Sequence, residues 1–429
     1  MVEGMKVLVI GGGGREHALV WALRKSARVT EVLCAPGNGG IAQLARCISI
    51  DAGNLHEMVN LVAIEQPALT VVGPELPLSV GLVDELIRRG FRVFGPTQAA
   101  ARLETSKAFA KEFMQRHDIP TAAHAICTTL EEVSDELRRF SVPVVVKADG
   151  LAAGKGVVIC ETHLQAEEAA AQMFSGALFG VAETEVVLEE FLTGEELSFF
   201  ALCDGNHAIE IASAQDHKRI GEGDTGPNTG GMGAYSTDGI ATPAMRQWLL
   251  RNVAQKAVEG MRSEGEPFKG ILFCGIMMTS RGPMVLEFNT RFGDPETEAI
   301  LLRLETDILD LFDASIDGTV NQLTIKMRPG ASVCVIAASG GYPGKYAAGK
   351  LIKGLAPDQA EDVVVFHSGT ALKDGEFVTA GGRVLAITAI ASDLRSALDK
   401  AYAELAKISF EGMQFRRDIA HRALRREEA

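Results

Sequence analysis

Chemistry-bearing side chains are densest in the run Met284-Val285-Leu286-Glu287-Phe288-Asn289-Thr290-Arg291-Phe292-Gly293-Asp294-Pro295-Glu296, which follows a Gly282-Pro283 turn. Read as a strand, its side chains alternate faces, and residues two apart lie about 6.8 Å apart along it. If the strand runs far enough, Glu287, Asn289 and Arg291 share one face and Leu286 and Phe288 the other. A carboxylate, an amide oxygen and a guanidinium in a row can hold a hard cation and a polyphosphate together. The competing reading of this stretch is an edge strand with a solvated polar face.

Two glycine loops bear on that choice. Met5–Ile10 is a short continuous apolar run, as in a buried parallel strand; Gly11–Gly14 follows, and Arg15-Glu16-His17 opens a helix. Strand, glycine loop and helix start leave backbone N–H groups and the helix dipole facing an anion. The spacing is not that of a dinucleotide site, which needs glycine where Glu16 or His17 stands. A single phosphate on Gly13, Gly14 and Arg15 is the reading, against a tight turn with a solvated arginine. The second loop joins the strand Pro143–Lys147 to Val157-Val158-Ile159 through Ala148-Asp149-Gly150-Leu151-Ala152-Ala153-Gly154-Lys155-Gly156. It is not a Walker A loop, because the glycine spacing is one residue short and Gly156 follows the lysine. Lysines and glycines in a hairpin still read as a flap over phosphates, against an ordinary solvated hairpin.

The elements that must position these groups follow from the hydrophobic pattern. Strands at Glu31–Ala35, Leu69–Val72 and Arg92–Phe94 alternate with helices at Leu55–Ile64 and Leu78–Arg89, which predicts a doubly wound parallel sheet. Ligands bind such sheets at the carboxyl ends of the strands, where loops 11–15, 36–40 and 73–75 belong. A helix over 104–117, with Thr105 or Ser106 as cap, leads to a break at Asp118-Ile119-Pro120-Thr121. A flap unit with a helix at 165–174 and a strand Glu185–Glu190 comes next, then a hairpin around Asp204-Gly205-Asn206. Residues 215–235 read as a long loop, functional or disordered. Helix Pro243–Glu264, strand Gly270–Met278 and a helix over 296–313 frame the opening stretch. From 331 the pattern indicates a separate strand-rich unit closed by a helix at 392–406. The expected boundaries are 1–103, 104–328 (flap about 122–192) and 329–429.

With 429 residues, 47% of them hydrophobic and 23% charged, the composition is that of a globular multidomain chain. A net charge of −14 argues against a dedicated nucleic-acid binder. The seven cysteines are scattered without a Cys-x-x-Cys pair, and Cys34, Cys160, Cys274 and Cys334 read as buried thiols of a reducing compartment. The N-terminal apolar run is too short for a signal peptide, and no run approaches the roughly 18 apolar residues of a membrane span. The expectation is a cytoplasmic, monofunctional protein, monomeric or weakly dimeric, with no nucleic-acid or membrane partner.

The motifs GGREHAL (13–19), APGN (35–38), VGPE (72–75), KADGLAAGKGV (147–157), QDHKR (215–219), DTGPNTGGMGAY (224–235) and EFNTRFGDPE (287–296) occur in this order. GGYPG (340–344), FHSGT (366–370) and GGRV (381–384) follow. Together they resemble the ATP-grasp superfamily and, within it, the glycinamide ribonucleotide synthetase family, over essentially the whole chain. The resemblance implies an N-terminal α/β pre-ATP-grasp domain, a two-lobed α+β ATP-grasp domain with a mobile flap, and a small β-rich C-terminal domain. It implies ATP-dependent ligation of glycine to 5-phosphoribosylamine through glycyl phosphate, in purine biosynthesis, with Mg²⁺ or Mn²⁺.

Residue roles carried over from the resemblance are these. Lys107, Lys147 and Lys155 contact ATP phosphates; Glu189 begins the segment whose backbone, through Phe191 and Leu192, meets adenine; Glu196 binds ribose. Glu287 and Asn289 are the metal ligands. Arg291 faces the transferring phosphoryl group, Lys218 is a further phosphate contact, and Asp294 completes the catalytic set. Gly13, Gly14, Arg15 and Asn38 take the sugar phosphate, with Glu75 on ribose hydroxyls. Asp216 and Asp294 hold the glycine ammonium, on charge grounds. The strand Phe273-Cys274-Gly275-Ile276-Met277 lacks the third acidic ligand that many superfamily members carry there. His217 reads as a hydrogen-bonding loop residue, which leaves the base for the amine unassigned. The rivals are another carboxylate–amine ligase of the superfamily, a nicotinamide-dependent oxidoreductase, which fails on glycine spacing, and a catalytically dead nucleotide-binding protein.

Overall fold

A computed structural model describes residues 4–151, 156–177, 184–356 and 361–428. Lys155 and the flap-loop residues beside it lie outside the described residues.

The first sheet is wholly parallel, in the order Arg46–Cys47, Val29–Pro36, Met5–Gly11, Leu69–Val72, Val93–Phe94. Its central strand is apolar from Val7 to Ile10 because both faces are covered there. Leu8 and Ile10 pack with Met58, Val62 and Leu82 of the sheet's own helices. Val7 and Val9 point the other way, toward Leu19, Leu23, Ile300, Leu309 and Phe312. The last three belong to helices Glu296–Arg303 and Ile308–Asp317, so the chain downstream of the opening stretch forms part of the floor of the N-terminal sheet. The helix expected over Leu78–Arg89 is two pieces, Glu75–Ser79 and Leu82–Arg88.

The flap unit is a four-stranded antiparallel sheet in the order His124–Cys127, Val186–Glu190, Val144–Ala148, Val157–Cys160. Helices Leu130–Leu137 and His163–Phe174 cover one face of it.

The third sheet holds eight antiparallel strands, ordered Gly282–Asn289, Lys269–Thr279, Glu195–Asp204, Ala208–Asp216, Gly233–Thr237, Ala331–Ala338, Arg383–Ala391, Val363–His367. The strand-rich region after 331 is therefore not a separate sheet. Its first strand pairs with Gly233–Thr237 from Gly233↔Val335 to Thr237↔Ala331. Gly233–Thr237 pairs with the rest of the sheet at Gln215↔Tyr235 and Asp216↔Ala234.

Three local expectations change. The stretch 215–235 is largely ordered strand: Arg219–Gly221 and Thr225–Asn228 form a ribbon, then Gly233–Thr237 enters the sheet. Its Gly, Thr and Asn content reads as loop because the ribbon is exposed and buries little apolar surface. The helix over 296–313 breaks after Arg303 and restarts with Asp307 capping Leu309. The helix over 104–117 breaks at Ser106, whose Oγ accepts from Phe109 N at 3.0 Å and starts Lys107–Arg116. Cys34, Cys160, Cys274 and Cys334 are buried free thiols. Among the described residues, no helix is long and apolar enough to cross a membrane.

Candidate active site

The strand Gly282–Asn289 ends at Asn289, so Glu287 and Asn289 share a face, and Arg291 lies just beyond the strand end. Glu287 pairs in register with Gly275, and Asn289 with Phe273. Burial opposes the charge of Glu287, but Lys218, Lys147, Lys107 and Arg291 together hold its carboxyl below the usual range. Four cations thus converge on one carboxylate at a strand end, three of them also paired with carboxylates of other elements. That argues against the solvated-edge reading.

Arg291 is held on several sides. Its Nη2 lies 2.8 Å from Glu104 Oε1 and donates to Asn289 Oδ1 at 3.2 Å, and its Nε lies 3.3 Å from Glu75 Oε2. Glu104 Oε2 also accepts from Thr290 N at 2.7 Å and from Thr290 Oγ1 at 3.0 Å. Burial raises the Glu104 carboxyl, while at Glu75 burial is outweighed by Arg291 and Arg15 and the carboxyl is lowered. Glu75 thus meets Arg291, and Glu104 is a site residue the sequence reading missed.

Lys147 is buried with Nζ 2.7 Å from Glu189 Oε1, and Lys111 Nζ lies 2.9 Å from Glu189 Oε2. The Glu189 side chain is 2% exposed and occupied between two lysines. Lys107 donates to Gly150 O at 2.7 Å, and Asp149 Oδ1 accepts from Ala108 N at 3.0 Å, so the flap stem rests on the start of helix Lys107–Arg116. Leu192 packs with Ala122, Met277, Met284 and Leu286 in a small apolar group at the seam between flap and large sheet.

Lys218 pairs with Glu196. Burial works against its charge, but Glu196, Asp216 and Glu287 keep its ammonium well above the ordinary value. Asp216 goes the other way: burial, with Glu296 and Glu196 adding to it against Lys218, pushes its carboxyl up to about 7. His217 is turned away, its Nε2 accepting from Ala420 N at 3.1 Å, and burial beside Arg416 holds it neutral.

The glycine loop departs from expectation. Gly13 N donates to Glu16 Oε2 at 2.7 Å and Arg15 N to Asp294 Oδ2 at 3.3 Å, so protein carboxylates already sit where a phosphate was expected. Arg15 is 7% exposed, with Nε donating to Glu16 Oε1 at 2.5 Å and Nη1 to Phe292 O at 3.1 Å. Asn38 is a correction. Its Nδ2 donates to Gly12 O (2.9 Å) and His367 O (2.7 Å), and its Oδ1 accepts from Gly40 N and Ile41 N, both at 2.9 Å. That side chain has no hydrogen-bonding capacity left for a sugar phosphate. The glycines serve close approach: a Cβ on Gly12 would lie 2.5 Å from Gly37 O, and one on Gly14 2.4 Å from Glu298 Oε1 and 2.6 Å from Ser368 Oγ.

Around Asp294 the site is rich in carboxylates. Arg383 Nη1 donates to Asp294 O at 2.7 Å and lies 3.1 Å from Asp294 Oδ1. Glu298 is fully buried with neither oxygen hydrogen-bonded; burial, then Asp294, raises its carboxyl well above the ordinary value. Burial also raises Glu296, whose Oε1 accepts from Ser198 Oγ at 3.2 Å. Arg383 belongs to the Gly-Gly-Arg-Val motif and Ser368 to the Phe-His-Ser-Gly-Thr motif, so the last part of the chain reaches this corner. Glu296 lies within the motif at 287–296, but nothing in the sequence marked Glu298, Glu104 or Lys111.

For a divalent cation, the donor set of Glu287 and Asn289 is hard oxygen, two residues apart on one strand face, and fits Mg²⁺ with water and phosphate oxygens completing the shell. Among the described residues no group of three or more His, Cys, Asp or Glu forms a preassembled metal cluster, in keeping with Gly275 lying opposite Glu287.

Family models for the phosphoribosylglycinamide synthetase N domain, ATP-grasp (A) domain and C domain match residues 5–104, 105–297 and 332–422. A phosphoribosylamine–glycine ligase of Xanthomonas campestris is 49% identical over 429 residues, covering 99% of each chain. One of Pseudomonas aeruginosa is 47% identical over 426 residues, again with 99% of each chain covered. A crystal structure of phosphoribosylamine–glycine ligase from Thermotoga maritima superposes with a TM-score of 0.86 at 34% identity, over 97% of this chain and 100% of that one. A biotin carboxylase domain from Hydrogenobacter thermophilus shares the fold, with a TM-score of 0.76 at 17% identity over 96% of this chain and 91% of that one.

Proposed function

The chain belongs to the phosphoribosylglycinamide synthetase family, and from that premise we propose how its own residues carry the reaction. It is an ATP-dependent ligase that joins glycine to 5-phosphoribosylamine in purine biosynthesis. The observation that carries the site assignment is the convergence of Lys107, Lys147, Lys218 and Arg291 on Glu287 near the end of strand Gly282–Asn289.

The ATP triphosphate lies along those four cations, with adenine at the apolar group around Leu192 and ribose near Glu196. Mg²⁺ (or Mn²⁺) on Glu287 and Asn289 would neutralise phosphate charge when bound. Glycine lies between this corner and Asp216 and Asp294, whose carboxylates face its ammonium. A glycine carboxylate oxygen attacks the γ-phosphorus; the bond to the β-phosphate oxygen breaks and ADP leaves. The sugar amine then attacks the acyl carbon of glycyl phosphate, the C–O bond breaks, phosphate departs and the amine nitrogen gives up a proton. Carboxylate and triphosphate repel, so catalysis rests on positioning and on cations aimed at the transferring group. Arg291, fixed by Glu75 and Glu104, is rigid enough for that task.

A coupled ADP-release assay that omits ATP, glycine and phosphoribosylamine in turn tests this: full turnover needs all three. Turnover with a non-phosphorylated amine and none with phosphoribosylamine would overturn it.

A further inference from the structure

Lys111 is a charged residue that the reaction as described does not use. It lies on helix Lys107–Arg116 beside Ala108 and Ala110, and its side chain is 2% exposed. Burying a lysine is costly unless its charge is used. Its Nζ lies 2.9 Å from Glu189 Oε2, while the other oxygen, Oε1, takes Lys147 Nζ at 2.7 Å. The same Lys111 Nζ donates to Thr121 Oγ1 at 2.7 Å, and Thr121 Oγ1 donates to Val285 O at 2.7 Å. Val285 lies two residues before Glu287 on the same strand.

We propose that Lys111 is a positioning residue that shares Glu189 with Lys147, leaving Lys147 a surplus positive charge for the nucleotide phosphates and tying it to the strand of Glu287. The proposal rests on the reading of Lys147 as a phosphate contact.

A pair made only for the fold would be neutral: one carboxylate with one lysine. The buried group here is two lysines on one carboxylate, one net positive charge turned toward Glu287, which acts on both lysines and lies at the nucleotide corner. Burial lowers the Lys111 ammonium to about 8, with Glu189 opposing and Lys147 adding to the fall, so it is still charged at neutral pH. Without Lys111 both Glu189 oxygens are free to turn on Lys147 and cancel it. The sums are distinctive: Lys111→Met brings the group to zero, and Lys111→Met with Glu189→Gln returns it to plus one.

Steady-state kinetics of the full chain, with melting temperatures alongside, test this. Lys111→Met is expected to raise the ATP KM about tenfold while the glycine KM stays within about twofold. The double variant is expected to recover most of that loss, which a merely structural lysine would not allow, since a second buried substitution would add damage. An ATP KM unchanged in Lys111→Met, or a double variant no better than the single one, overturns the proposal. Lys111→Arg keeps the charge where Lys111→Met does not fold; an ATP KM within about threefold of wild type supports the proposal and a tenfold rise overturns it. Lys147→Met separates the two layers. If it leaves the ATP KM unchanged, the nucleotide reading falls and this proposal with it. If it raises the ATP KM while Lys111→Met does not, only the role of Lys111 falls.

Discussion

The segment from Glu287 to Glu298 carries carboxylates at both ends, half-buried at Glu287 and fully buried at Glu298, in different electrical surroundings. Burial opposes ionisation at each end, so the difference comes from neighbours. At Glu287 four cations outweigh burial and the carboxyl is lowered. At Glu298 burial is joined by Asp294 and Glu296 and the carboxyl is raised well above its ordinary value; Glu296, between the two, is raised by burial against Lys218 and Arg291. Within a dozen residues the chain builds a corner suited to a polyphosphate and another suited to an ammonium or amine. A substrate set of ATP, glycine and a sugar amine has that polarity.

The largest way to break the comparison is to remove the carboxylate on which its four cations converge. Glu287→Ala is expected to cut ADP formation by a factor on the order of 10³ with the melting temperature nearly unchanged; a near-normal rate would remove the metal assignment. Next comes Arg291→Met, which removes a transferring-group contact and strands Glu75 and Glu104. The expected loss is about a hundredfold in kcat, with the ATP KM moving far less, as read in the same assay. At the opposite corner, Asp294→Asn is expected to raise the glycine KM about tenfold and leave the ATP KM within about twofold; equal effects would erase the distinction between the ends.

The smallest effects are in stability against pH. His367 N donates to His17 Nδ1 at 2.8 Å across the N-terminal and C-terminal units, and burial lowers His17 to about 3 and His367 to about 4, from 6.5. Depressed histidines favour the folded state fully above their unfolded value, and that contribution is lost as pH falls from about 6.5 toward 4. Asp216 has the opposite sign: with its carboxyl raised from 3.8 to about 7, its cost to the ligand-free fold grows as pH rises through that window. Thermal melts should show His17→Gln flattening the acid limb. Asp216→Asn should gain a few degrees at pH 8 and little at pH 4.

Much of the scaffold could be read from the apolar runs, because Val7–Ile10 and, apart from Thr70, Leu69–Val72 are buried on both faces and apolar. The Glu287–Asn289 pair was readable for the same reason in reverse, as alternating polarity on a strand with one wet face. What escaped are polar residues that serve the fold from within a glycine loop or a helix. Asn38 looks like a ligand contact in sequence, yet its side chain ties loop 36–40 to Gly12 and His367. Lys111 looks like one more surface lysine on an amphipathic helix, because its partner Glu189 is 78 positions away. Ribbon 219–228 escaped because it is held from outside, by Arg416 reaching Arg219 O at 3.1 Å and Asp224 at 2.9 Å.

The eight-stranded sheet, finally, bears on how this chain can be recombined. Three family models divide its sequence, yet the pairing of Gly233–Thr237 with Ala331–Ala338 crosses the last division. Cutting there would leave two unpaired strand edges, each a template for aggregation. Swapping the C-terminal part between relatives would have to preserve strand register as well as surface fit, since a one-residue slip turns every side chain to the wrong face. The last division is a boundary in sequence, but its two sides have to be inherited as one piece.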